Sequence, residues 1–256
     1  MVETSYPKLS KPPIHEAVLD IRVLARSGFG AEDLRPLKDA LRAHFPTAEA
    51  MFATEATFLF EKGAVAKADA TEAKEVGVLF RSADGKLILQ TRVDGITLSR
   101  LSPYVSFDEL TPTLMDCWSR YVEAARPSQA TRLAVRYINR FDVPSRGTLN
   151  EYLTHPPVPV LSEMGVVAFM HRDFMRTVDR RSAASVTTAL EPGMDERSTS
   201  IVVDIDAFCD DRPVRLEGRA ASASAEEISS VFGELRDLKN RFFFSLLTQS
   251  CIEQFK

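Results

Sequence analysis

The most constraining feature of this 256-residue chain is a run near its middle, TRLAVRYINRFDVP from Thr131 to Pro144, in which apolar and polar residues alternate. A period of two is typical of a β-strand, because successive side chains point to opposite faces of a sheet. One face of the predicted strand carries Leu133, Val135, Tyr137, Asn139 and Phe141. The other face carries Arg132, Ala134, Arg136, Ile138 and Arg140. The three guanidinium groups must meet carboxylates, phosphates or water, so the sequence predicts one buried face and one charged face.

A second strand with the same division is predicted from Glu16 to Leu24. Its apolar face holds Ala17, Leu19, Ile21 and Val23, and its charged face holds Asp20 and Arg22. The apolar spacing from Leu34 to Phe45 then predicts an amphipathic helix of about three turns, which Pro46 ends. The polar, proline-containing residues 1–13 predict an extended lead-in.

The remainder of the first half predicts mainly strands. They are indicated at 52–60, 76–81, 87–93 and 96–101, whereas 62–74 is interpreted as a loop or a marginal helix. The Asp84-Gly85 pair predicts a hairpin turn after residue 81. The last three strands therefore form an antiparallel succession.

Two capping boxes mark the starts of helices. SFDE at 106–109 precedes a helix that ends near residue 125, with Thr111 as an alternative cap. SAEE at 224–227 precedes a long helix whose apolar stripe extends over 225–255.

The second half predicts a short helix at 149–153, then strands at 166–178, 183–190, 200–208 and, at an edge, 214–219. Both halves thus share one order of elements. The predicted class is α+β, with two pseudo-repeated β-α-antiparallel-sheet-α units packed together and a long C-terminal helix. The predicted boundaries are 1–13 for the lead-in, 14–127 for the first unit and 128–256 for the second.

Five stretches resemble a sporadically distributed bacterial family for which no activity is established. They are LSKPPIHEAVLDIRV (9–23), SRLSPYVSFDEL (99–110), RLAVRYINRFDVP (132–144), VVDIDAF (202–208) and LRDLKNRFFFSLLT (235–248). Because they are spread over nearly the whole chain, the resemblance implies one unit rather than a fusion. It implies no catalytic residues. Phe107 departs from the Trp that the family pattern favours.

Composition narrows the class of function. A net charge of −4 disfavours a nucleic-acid partner, because sequence-independent binding to a polyanion needs an excess of Lys and Arg. Cys117, Cys209 and Cys251 are far apart and have no histidine at metal-ligand spacing, so we expect no disulfide framework, metal or cofactor. The apolar runs are too short to span a membrane and the amino terminus lacks a signal-peptide core, which predicts a cytoplasmic protein.

Two sets of charged residues form the candidate ligand site. Asp204 and Asp206 share one face of the predicted strand IVVDIDAF, an arrangement that holds Mg²⁺ in some phosphoryl-transfer enzymes. The guanidiniums of Arg22, Arg136 and Arg140 would suit a phosphate or carboxylate ligand. The alternative is structural, and it predicts that Arg136 or Arg140 forms an ion pair with Asp204 or Asp206 across the sheet.

No catalytic residue is assigned, because the sequence has no P-loop, GxSxG or GxGxxG motif and its four histidines form no recognisable pattern. The terminal helix carries three consecutive phenylalanines, Phe242 to Phe244, which cannot all face one side. Phe242 fits the apolar stripe. Phe243 and Phe244 are therefore the candidate interface of a homodimer.

These features favour a non-enzymatic cytoplasmic protein that binds or assembles with a protein partner. Two alternatives stay open. One is a ligand- or nucleic-acid-binding module that uses the arginine-lined face, and the other is a metal-dependent phosphoesterase that uses Asp204 and Asp206.

Overall fold

The computed structural model describes residues 6–54, 56–61, 64–70, 73–144, 148–161, 163–192, 198–219 and 221–256. The strands are β1 Ile14–Leu24, β2 Thr47–Ala53, β3 Ala56–Glu61, β4 Ala64–Ala70, β5 Lys74–Arg81, β6 Leu87–Arg92, β7 Gly95–Leu101, β8 Gln129–Pro144, β9 Phe169–Arg176, β10 Ala183–Pro192, β11 Ser198–Cys209 and β12 Val214–Arg215. The helices are α1 Leu37–Ala40, α2 Phe107–Ala125, α3 Ala221–Leu246 and α4 Gln249–Glu253, with 3-10 turns at Ala31–Leu34 and Leu149–Glu151.

Ten of the described strands form one antiparallel sheet. Their order is β2-β5-β6-β7-β1-β8-β11-β10-β9, and β12 pairs with the start of β8. β3 and β4 form a separate two-stranded sheet. Outward from β1 the order is β7, β6, β5, and outward from β8 it is β11, β10, β9. The first strand of each half therefore lies in the middle of the sheet, and its neighbour on the outer side is β7 or β11.

Helices α2 and α3 pack on one face of this sheet. Leu19 of β1 and Val135 of β8 are fully buried there, and they share one apolar core with Trp118 of α2 and Phe232 of α3. The predicted two-faced pattern of β1 and β8 is confirmed, as is the α+β class. The opposite face of the sheet carries the charged side chains.

Two local predictions of the first half are also confirmed. β5, β6 and β7 pair in succession, and Gly85 in the turn between β5 and β6 has a positive φ of 66°. The side chain of Ser106 accepts a hydrogen bond from the backbone N–H of Glu109, so α2 begins at Phe107 rather than after Thr111.

The regular helix predicted from Leu34 to Phe45 is wrong. The segment forms a 3-10 turn, the short helix α1 and further turns, because Pro36 lies between the two helical pieces and cannot donate a backbone hydrogen bond. The apolar face itself was correctly predicted, since Leu34, Leu41 and Phe45 are at most 1% exposed.

The region 52–74 also differs from the prediction. The single strand predicted at 52–60 is divided between β2 and β3, and residue 55 lies outside the described residues. Residues 64–70, interpreted as a loop or marginal helix, form β4, which pairs with β3. Cross-strand pairing outweighs the helix propensity of an alanine-rich segment here.

The long helix predicted at 225–255 is interrupted. α3 begins before Ser224, which therefore lies inside the helix rather than at its cap. α3 ends where Leu247 forms a β-bridge with Leu153, and Thr248 then caps the separate helix α4. The edge strand predicted at 214–219 is the short β12, which pairs with β8 near the middle of the sheet.

Gly95, at the start of β7, provides a test of the close approach between β1 and β7. Its φ is +149°, and a Cβ atom added there would lie 2.2 Å from the carbonyl oxygen of Ile21. Gly95→Ala is expected to lower the free energy of unfolding by about 3 kcal/mol or more, because the clash is with backbone. Gly85→Ala is the control, since its φ is +66° but nothing lies within 4 Å of an added Cβ; it should cost about 1 kcal/mol. Equal losses in urea unfolding would contradict the prediction.

Candidate functional site

The charged face of the sheet is organised around Asp20, whose side chain is only 10% exposed. Three guanidiniums reach its carboxylate: Arg22 Nε at 3.2 Å, Arg92 Nη2 at 3.2 Å and Arg132 Nη1 at 3.4 Å. The hydroxyl of Thr97 donates a further hydrogen bond to it. Asp20 therefore joins β1, β6, β7 and β8 through polar contacts.

The register of the sheet explains why a carboxylate is needed at this position. Arg22 of β1 lies directly opposite Arg132 of β8, and like charges directly opposite each other destabilise a sheet. Asp20 lies two residues along on the same face and accepts from both guanidiniums. Burial lowers the pKa of Arg22, but the charges of Asp20 and Asp94 outweigh burial and raise that pKa above its ordinary value.

A second set of ion pairs joins β8 to β11. Arg136 binds Asp204 in a two-pronged contact, Nε to Oδ1 at 2.8 Å and Nη2 to Oδ2 at 2.6 Å. This confirms the expected ion pair between Arg136 and Asp204. Arg132 reaches Asp206 through Nη2 at 2.8 Å while its Nη1 stays on Asp20. Hydrogen bonding to Asp204 raises the pKa of Arg136, whereas burial raises the pKa of Asp206 despite the neighbouring guanidiniums.

Arg140 lies apart from these contacts. Its Nη1 is 3.4 Å from Glu191 and its Nη2 donates to Ser200 at 3.2 Å. It borders a surface cavity of about 410 Å³ that is also lined by His15, Phe141 and Asp142. The structure thus brings together four of the five predicted ligand residues, Arg22, Arg136, Asp204 and Asp206, and places Arg140 beside a separate cavity.

Arg92 and Thr97 are site residues that the sequence reasoning missed. The sequence of β6 does contain a signal for Arg92. Leu89 is buried on the helix side of the sheet, and a residue three positions further along a strand points to the opposite, charged face. Thr97 gives no comparable signal, since a threonine fits either face of a strand.

The arrangement holds charges of both signs at fixed positions. Arg136 contacts both oxygens of Asp204, and Arg132 contacts one oxygen of Asp206. These guanidiniums already balance the charge of the two carboxylates, which disfavours the binding of a cation. Within the part of the chain that the structure describes, no three His, Cys, Asp or Glu side chains are grouped so that they could hold a metal ion.

A buried lysine lies on the helix side of β8. Lys239 of α3 is 9% exposed, and its Nζ lies 3.9 Å from the centroid of the Tyr137 ring. The hydroxyl of Tyr137 shares a hydrogen bond of 2.7 Å with that of Tyr104. Burial, with a smaller contribution from the charge of Arg236, lowers the pKa of Lys239 to about 7. Its place four residues after Leu235 in the apolar stripe is the signal that could have identified it.

The phenylalanines of the terminal helix are engaged within the chain. Phe243 is 5% exposed and belongs to a core that includes Ile205 of β11 and Cys251 of α4. Phe244 is half-buried and stacks on Tyr6, with ring centroids 4.7 Å apart. Phe243, one of the two candidate interface residues, is therefore buried within one chain, because α3 lies over β11.

No family model, no curated protein and no solved structure matches this chain. Among the described residues, no helix combines the length and the apolar character that crossing a membrane requires.

Asp20→Asn tests the contacts around the central carboxylate. Removing the charge leaves three guanidiniums without their common partner, and breaking a buried ion pair in this way costs about 3 to 5 kcal/mol. Asp94→Asn is the matched control, because Asp94 also pairs with Arg22 and Arg92 but is 60% exposed. It should cost at most about 1 kcal/mol. If urea unfolding shows similar losses for both variants, Asp20 has no special role.

Lys239→Met tests the buried lysine through the pH dependence of stability. Because the folded pKa lies below the unfolded one, the unfolded chain binds more protons between pH 7 and about 10. The free energy of unfolding of the wild type, measured relative to Lys239→Met, is therefore expected to rise with pH across this window and to be flat below it. Lys86→Met, at an exposed lysine, is the matched control for the loss of one lysine side chain. A flat difference for Lys239→Met would contradict the assignment.

Proposed function

We propose that this chain is a non-enzymatic binding or assembly protein, and that the charged face of its sheet recognises a protein partner. The observation that carries this proposal is the mixed sign of that face, where guanidiniums from β1, β6 and β8 alternate with carboxylates from β1 and β11. A surface with both signs at fixed positions complements another protein surface. A nucleic acid instead favours uncompensated positive charge.

The dimensions of the face also fit a protein partner. Nine strands lie side by side along the sheet, and at about 4.8 Å per strand they span roughly 40 Å. A stable interface between two proteins buries about 800 Å² on each partner. A fraction of the charged face is therefore large enough for such a contact.

The two units, 14–127 and 128–256, are proposed to be structural repeats. Support comes from the matching orders β1-β7-β6-β5 and β8-β11-β10-β9 and from the helix that follows β7 in one unit and β12 in the other. Such a repeat would merge the charged faces of both units into one surface, because β1 and β8 pair at the centre. A cytoplasmic location, and membership of the bacterial family that the sequence resembles, are likewise proposals.

A second candidate function is the binding of a small anion beside Arg140. The observation that favours it is the cavity bordered by His15 and Arg140, where the guanidinium has one carboxylate partner, Glu191, and one hydroxyl partner, Ser200. An added phosphate that raises the melting temperature of the wild type, but not that of Arg140→Ala, would support it. The same thermal-shift experiment with Mg²⁺ and with RNA tests the phosphoesterase and nucleic-acid alternatives.

A charge swap tests the proposed recognition surface. Arg136→Asp combined with Asp204→Arg keeps an ion pair but inverts the charge pattern of the face, so it should fold and yet fail to bind. In affinity capture from an extract of the source cells, quantified by mass spectrometry, the partner should be retained by the wild type and lost with the swap. Exchanging Arg219 and Glu227, an ion pair of 2.6 Å at the start of α3, is the matched control. If the folded swap variant retains the same proteins as the wild type, or if the wild type retains none, the proposal is wrong.

A further inference from the structure

The last strand of the sheet, β9, has a free edge. It pairs with β10 in unbroken register on one side, and no described strand lies on the other. The strand at the opposite end of the sheet, β2, is interrupted by a bulge between Met51 and Phe52, which is one way in which proteins keep edges from pairing. β9 has no such bulge, so its free edge presents an unbroken row of backbone donors and acceptors.

Exposed apolar side chains are concentrated on β9 and in the segments that flank it in sequence. Among the described residues, twelve large apolar side chains are exposed, and nine of them lie between residues 158 and 178. Val160 is 100% exposed, Val167 83%, Met170 75% and Phe174 63%. Folded monomers rarely leave so much apolar surface in one part of the chain, so this concentration indicates that β9 and its flanking segments meet a partner.

The sequence of β9 indicates that the partner is a second copy of the same strand. Two β9 strands that run antiparallel to each other are complementary. With Arg172 at the centre, the opposing pairs are Phe169 with Met175, Met170 with Phe174, and His171 with Asp173. Apolar residues thus meet apolar residues, and a histidine meets a carboxylate. His171 Nε2 already lies 2.8 Å from Asp173 Oδ2 within the strand, so both groups are placed to form the same contact with a second strand.

Neighbouring registers lack this match. If the two-fold axis is perpendicular to the sheet, side chains directly opposite each other must point to the same face. This condition is met only when one residue of the strand lies directly opposite its own copy. If Asp173 were the central residue, it would lie opposite the second copy of Asp173, and Phe174 would lie opposite Arg172. Centring on His171 sets Met170 against Arg172. The register centred on Arg172 has one unfavourable contact, between the two copies of that arginine.

We infer that a second copy of this chain occupies the β9 edge, and that the two β9 strands pair antiparallel about a two-fold axis through Arg172. The two sheets then form one continuous sheet. Since the axis is perpendicular to the sheet, the charged faces of both copies point to the same side. This dimer stands apart from the proposed function, because its contacts lie at the edge and not on the charged face around Asp20.

Met170→Lys tests the dimer by sedimentation velocity over a dilution series. The side chain makes little contact within its own chain, so the variant should fold, as circular dichroism can check. A symmetric interface contains the Met170–Phe174 contact twice, and the Kd of the dimer is expected to rise roughly a hundredfold. Phe52→Lys, at a 63% exposed residue of the other edge strand, should leave the Kd unchanged.

Arg172→Cys tests the register. Residues directly opposite each other have Cβ atoms about 4.5 to 5.5 Å apart, which a disulfide can span with small adjustments. A mild oxidant should therefore give a covalent dimer with Arg172→Cys but little with His171→Cys, and the background is low because the three native cysteines are buried. A wild type that stays monomeric at high micromolar concentration overturns the inference. So does a dimer that neither weakens with Met170→Lys nor cross-links through Arg172→Cys.

Discussion

The antiparallel pairing of β1 with β8 is the interaction on which the rest of the structure depends. It extends from the Ile14–Asn139 pair to the Leu24–Gln129 pair and joins the two halves of the chain in the middle of one sheet. The apolar face of β1 and the first part of that of β8 lie in one core with α2 and α3, whereas Phe141 and Val143 of β8 belong to a second core with α4. Without this pairing, each half would expose the hydrogen-bonding edge of a strand that is apolar on one face, and neither half could complete its core.

The charged face follows from the same pairing. Because side chains alternate with a period of two, a slip of one residue between β1 and β8 would carry the arginines into the apolar core. The contacts of Asp20 with Arg92 and Arg132 form only in the observed order and register of strands. Buried ion pairs contribute little net stability compared with apolar packing. They disfavour neighbouring registers, in which the same charges would be left without partners.

The features that the sequence predicted correctly are mostly those that depend on residues close together in the chain, and the features that it missed depend on distant residues. The faces of β8 and the cap at Ser106 could be predicted because each depends on residues that are close in sequence. The ion pair of Arg136 with Asp204 was predictable because both strands are strongly patterned. The cluster around Asp20 was not, because it requires knowing that β6, β7, β1 and β8 are neighbours. The end of α3 was missed for the same reason, since it depends on a bridge between Leu247 and Leu153.

The charged face is not required for a stable sheet. A chain that needed only a stable sheet could cover both faces with helices or place apolar residues where Arg132 and Asp206 lie, often at no loss of stability. Instead the carboxylates hold long arginine side chains in fixed positions, as the two hydrogen bonds from Arg136 to Asp204 show. Side chains that are already ordered lose less conformational entropy when a partner binds. Under the proposed function, this preorganised pattern of both charges is what the face offers to a protein partner, and it contributes specificity more than folding energy.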